Sequence, residues 1–150
     1  MEKSKLGISI GLFGALLYFI GAMGSIGIFV VALATGYILF FETSEWLKKT
    51  AVKSLIIVVF LAIAVNLITY LSSSVTYILY FLRQLAINND LFNPNYNMIE
   101  FFSLLQYLQM VINQLTPAVE ILICVILGFR TYKQKDIKIK VLDDIINKHF

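Results

Sequence analysis

The chain has 150 residues, of which 59% are hydrophobic and only 14% charged, with a formal net charge of +3. A soluble domain carries roughly 25% charged residues, and here the charges are also withheld from long stretches. None lies from Leu6 to Phe41 or between Lys53 and Arg83, and a core this small cannot hide two such stretches from water. That excludes a soluble fold and points to a bilayer.

The first apolar segment runs from Leu6 to Met23 and the second from Ile26 to Phe41. Gly21-Ala22-Met23-Gly24-Ser25 separates them, and two glycines in five residues mark a tight turn, so the pair reads as a helical hairpin. Gly7-x-x-x-Gly11 and Ala32-x-x-x-Gly36 are small-residue spacings that let helix backbones approach closely in lipid. Packing of this hairpin on itself is the first expectation for them, and self-association between subunits the second. Met1 to Gly24 also has the outline of a signal peptide, with Ala22-Met23-Gly24 as a cleavage site. Cleavage there would leave an apolar crossing as the new amino terminus, and retention is the expectation.

The third segment, Ser54 to Leu82, exceeds the roughly 20 residues that cross a ~30 Å hydrocarbon core, so it tilts or projects. Ile87 to Asn97 holds several Asn residues and Pro94, which favour turns, so a loop is expected there. Met98 to Arg130 is helical in pattern again, with a fourth crossing at about Val111 to Phe129. Its first half either lies at the interface or extends the helix.

Lys and Arg in the flanks set orientation. Lys3, Lys5, Lys48, Lys49, Lys53, Arg130, Lys133, Lys135, Lys138, Lys140 and Lys148 fall on one side of a four-crossing plan, and only Arg83 on the other. That side should be cytoplasmic, which places both termini inside a multi-pass cell-membrane protein. A three-crossing plan would mix the basic residues across both faces.

Chemistry-bearing groups are few. Cys124 is alone in an apolar run, where a small buried hydrophobe is the ordinary role, and His149 is a lone penultimate residue. No metal site, cofactor, nucleophile–base pair, phosphate loop or glycosylation sequon stands out, and neither an enzyme nor a nucleic-acid partner is expected.

The informative feature is where polar groups sit within the last two crossings. At ~100° per residue, Gln106, Gln109, Asn113, Pro117, Glu120, Cys124 and Gly128 fall on one stripe. Asn66, Thr69, Tyr70, Ser73, Tyr77, Tyr80 and Gln84 do the same in the third segment. Two such faces satisfy each other or a shared cavity, because lipid offers no partners. Glu120 is the sharpest case. An ionised acid at mid-membrane costs roughly 2.5–3.5 kcal/mol on insertion scales, so it should be protonated, paired or hydrated. No basic residue lies in any crossing to pair with it. Pro117 frees the carbonyl of Asn113 and can kink the helix. An inward seam that fixes helix register is the ordinary reading; an ion or proton path comes next, and a small-ligand site last.

The cytoplasmic elements form a second candidate. Glu42 to Lys49 sets Trp46 and lysines beside the second crossing, as interfacial anchors do. Lys48, Lys49, Lys53, Arg130, Lys133, Lys135, Lys138 and Lys140 could hold anionic head groups or a soluble anionic ligand such as a nucleotide.

The stretch Phe40 to Lys53, with the ending Leu142 to Phe150, resembles uncharacterised small bacterial membrane proteins. Some of those carry a zinc ribbon before the first crossing, and this chain has none. The four-crossing layout, with its charged second-to-third loop and basic closing segment, is also similar to the small tetraspan proteins related to the chloroplast inner-envelope translocon. The resemblance implies fold and topology and carries over no activity.

The expectation is therefore an all-α, four-transmembrane-helix bundle in one domain, residues 1–150. Its first function is a small homo-oligomeric pore, with Glu120 as the ionisable element. The alternative is a non-conducting scaffold or regulatory subunit that holds a cytosolic protein, anionic lipid or nucleotide through its basic loop and tail. Alternating-access transport suits so short a chain only as a dimer.

Overall fold

The computed structural model describes residues 4–88 and 96–135, together with Ile137, Ile139, Asp143 and Ile146. Its regular elements are four helices: α1 (Ile10–Gly21), α2 (Ser25–Phe41), α3 (Glu45–Asn88) and α4 (Tyr96–Tyr132). Sequence sets each start. Gly7 turns the chain in the left-handed region (φ 77°), and the Ser9 hydroxyl accepts from the Leu12 N–H to cap α1. The expected start at Leu6 thus moves to Ile10. Gly24, at φ 75°, takes the chain around into α2, a conformation costly for any residue with a Cβ.

α3 departs most from expectation. It begins at Glu45 and not near Ser54, because Ser44 caps it through its hydroxyl and Glu45 suits the positive end of the helix. Neither Gly nor Pro interrupts the helix from there to Asn88. The charged connection expected from Glu42 to Lys53 shrinks to Glu42–Ser44. The Met98 to Arg130 pattern is one continuous helix, so its first half extends the helix. Of the expected loop at Ile87 to Asn97, residues 89–95 lie outside the described residues.

At 1.5 Å per residue, the 44 residues of α3 extend about 66 Å and the 37 of α4 about 55 Å. Both are long and apolar enough to cross a ~30 Å hydrocarbon layer. The 12 residues of α1 reach about 18 Å and the 17 of α2 about 25 Å. These two are apolar but short.

The chain forms two compact units. One contains residues 1–63 and 120–150, the other Ala64–Val119. In the first unit, Ile10, Phe13 and Leu17 of α1 pack with Val31 and Ile38 of α2 and with Leu47 and Ala51 of α3. A second cluster joins Tyr18, Ile57, Val58, Cys124 and Ile137. Glycines bring the helices together. A Cβ on Gly11 would stand 2.6 Å from the Tyr132 carbonyl oxygen, and one on Gly14 would stand 2.8 Å from the Thr131 methyl. The Glu42 carboxylate, buried at the end of α2, accepts the Lys5 N–H at 3.0 and 3.1 Å. Lys53 is buried too; it pairs with Asp143 and donates to the Ile137 carbonyl at 3.4 Å.

The second unit is a pair of helical arms, the later part of α3 and the earlier part of α4. No described residue in it is buried, and Leu67, Tyr70, Tyr77, Phe81, Phe101, Tyr107 and Leu115 are all more than half exposed. Two helices with no interior of their own are not stable in water. Their apolar surface needs lipid or another chain.

Candidate functional site

The polar groups of the second unit fall into two kinds. Hydroxyls satisfy themselves on their own helix: Ser74 donates to Tyr70 O at 2.9 Å, Thr76 to Ser72 O at 3.4 Å, and Thr116 to Ile112 O at 2.7 Å. One amide reaches across to the other helix instead. Gln109 crosses between the arms, its Nε2 donating to the Ser72 carbonyl at 2.6 Å. Around this bond lies an open groove of about 350 Å3, lined by Thr76, Gln106, Gln109, Met110, Asn113 and Gln114.

Asn113 is the chemically exposed point of the groove. Its side-chain Oδ1 is buried and has no hydrogen-bond donor. Its backbone carbonyl, moreover, faces Pro117 four residues on, and proline brings no N–H. One residue thus holds two acceptors that its own helix leaves open. An unsatisfied buried carbonyl costs about 1–3 kcal/mol. Water, a cation or a donor from another chain relieves that cost. Two acceptor oxygens and neighbouring glutamines suit water or a weakly held monovalent cation better than an apolar ligand.

The structure divides the sequence stripe on α4. Gln106, Gln109 and Asn113 belong to the groove, whereas Glu120 and Cys124 belong to the other unit. Glu120 is half-buried, and among the described residues no cation pairs with it. Cys124 is fully buried in the second cluster. On α3, Ser72 accepts the Gln109 amide of α4 and Thr76 lines the same groove. Ser73 is half-buried, Asn66 is exposed at the surface, and Tyr77 is 76% exposed. Of the expected α3 face, Thr69 and Ser73 are half-buried, while the hydrogen bond to α4 falls on Ser72 beside them. The acceptor is the Ser72 backbone carbonyl, which a side-chain pattern does not reveal. The Ser72–Thr76 spacing of four was the available signal.

Among the small residues, Gly11 makes a close approach, but Gly7 lies ahead of α1 and shares no helical face with it. A Cβ on Gly36 would meet nothing within 4 Å, and Ala32 is exposed. The glycines that pack are Gly11, Gly14, Gly21 against Val58, Gly27 against the Ile20 backbone carbonyl, and Gly128 against Phe19.

The basic residues also separate. Lys53 is committed internally, and Lys48 and Lys49 are half-buried. Arg130, Lys133 and Lys135 are exposed together; Lys138 and Lys140 lie outside the described residues. Trp46 is half-buried against the first cluster, its ring 3.7 Å from where a Gly14 Cβ would stand. No known protein family, curated protein or solved structure matches the chain.

Proposed function

We propose that this is a four-crossing membrane protein, with both termini cytoplasmic, whose copies assemble to form a small pore. The polar faces of α3 and α4 line the path. One observation carries the reading: Asn113 keeps two open acceptors in a polar groove, on a pair of helical arms that have no buried residue among those described. In lipid these oxygens have no partner, whereas in an assembly each groove faces a copy of itself and encloses water. Glu120, seven residues further along α4, is the ionisable element of the proposed path. A ring of such acids favours cations.

Reconstituted full-length protein tests this through cation flux into vesicles. The expected result is flux in the native chain, loss of cation preference in Glu120→Gln, and a drop of about tenfold or more in Asn113→Leu. The fold of each variant is checked by its helical circular dichroism. Absence of flux from the native chain across pH, voltage and ion type would overturn the pore. The scaffold alternative would then stand, with Asn113 and Glu120 as register residues between copies.

A further inference from the structure

At the end of α4 the chain makes a fixed turn. The Gln134 N–H bonds to Thr131 O at 2.8 Å and the Lys135 N–H to Arg130 O at 3.1 Å, with Gln134 in the left-handed region at φ 52°. This pair of bonds is the Schellman ending, here built without the usual glycine. It folds Lys135 back beside Arg130. α1 holds the turn in place, since a Gly11 Cβ would lie 2.6 Å from Tyr132 O and 3.3 Å from Gln134 Cγ. Between the turn and the helix is a cleft of about 420 Å3, lined by Ile126, Phe129, Arg130, Lys133 and Lys135. Its floor is apolar and its rim carries three cations.

We infer that this cleft binds the headgroup of one anionic phospholipid, with Arg130, Lys133 and Lys135 around the phosphate and an acyl chain lying on Ile126 and Phe129. Charge at a helix carboxyl end also favours the helix itself. That role needs neither the exposed apolar floor nor the folded-back Lys135. Ile126 and Phe129 are 51% and 59% exposed directly below the cations, the order in which a lipid presents tail and headgroup. Arg offers two parallel donors to a phosphate, and lysines add point charges. The other described lysine deep in this unit, Lys53, is occupied by Asp143 and Ile137. The inference needs membrane residence and does not depend on conduction.

Native mass spectrometry of the full chain in detergent tests it, with dioleoyl phosphatidylglycerol titrated against dioleoyl phosphatidylcholine. One retained phosphatidylglycerol per chain is expected. Each basic residue near a surface contributes about fivefold in affinity, so Arg130→Gln/Lys133→Gln/Lys135→Gln should lose a preference of about a hundredfold. Lys133→Gln alone, the milder variant should the triple one unfold, should lose about fivefold. Lys5→Gln/Lys48→Gln should keep the preference, and Ile126→Ser should weaken both lipids. Equal retention of the two lipids by the native chain would overturn the site, as would an equal loss in Lys5→Gln/Lys48→Gln. Displacement of the lipid by glycerol phosphate at the same concentration would also overturn it, assigning the cations to a soluble phosphate.

Discussion

At the scale of single residues, identical chemistry has opposite consequences according to what stands across from it. Gly11 and Gly36 both sit inside helices of the first unit, yet the first faces a backbone carbonyl at 2.6 Å and the second faces open space. A backbone atom at a helix end cannot step aside as a side chain can. Gly11→Ala should therefore cost about 1–3 kcal/mol by overpacking. Gly36→Ala should be neutral, or stabilising by up to about 1 kcal/mol from helix propensity. Thermal unfolding of the two variants in one detergent measures the difference, and equal melting temperatures would contradict the packing described. The sequence showed which spacings were small but not which glycine had a neighbour. That depends on the partner helix, here α4 returning from far along the chain.

At the scale of elements, α4 is shaped by one break in its hydrogen bonding. Pro117 withholds an N–H from the Asn113 carbonyl in a helix that otherwise runs unbroken from Tyr96 to Tyr132. Pro117→Ala supplies that N–H. It should stabilise the chain by about 1–3 kcal/mol, given the ~3 kcal/mol gap in propensity between the two residues. In the proposed pore it should also lower flux severalfold, because one of the two open acceptors is closed. Paired measurements of melting temperature and vesicle flux check this; greater stability with unchanged flux would remove the carbonyl from the path. Much of the helix layout was legible, because long apolar runs and the Gly-rich turn fix where helices can be. The early start of α3 was legible only in part. The charged run Glu45 to Lys53 reads as a loop from its polarity, whereas the Ser44 cap and the absence of Gly or Pro decide for helix. That Gln109 bonds to Ser72 was not legible, since the acceptor is a backbone carbonyl, which every residue of α3 carries.

At the scale of the whole molecule, the two units differ in what holds them. The first has two apolar clusters, close glycine contacts and a pair between the buried Lys53 and the half-buried Asp143. The second has interhelical polar contact through Gln109 and no buried residue among those described. Its stability must come from surroundings outside one chain, and that is why the proposed function is an assembly. The proposed pore requires that Asn113 face water within that assembly. Thiol labelling of the native-length chain in sealed membranes reads it directly. In a Cys124→Ser background, Asn113→Cys is exposed to a small, water-soluble, charged thiol reagent and compared with Leu108→Cys on the apolar surface of the same helix. Rapid labelling is expected at position 113 and labelling slower by at least about tenfold at 108, where an apolar face would meet lipid. Equal, slow labelling at both positions would mean that no water reaches Asn113, and the polar face would be a dry seam.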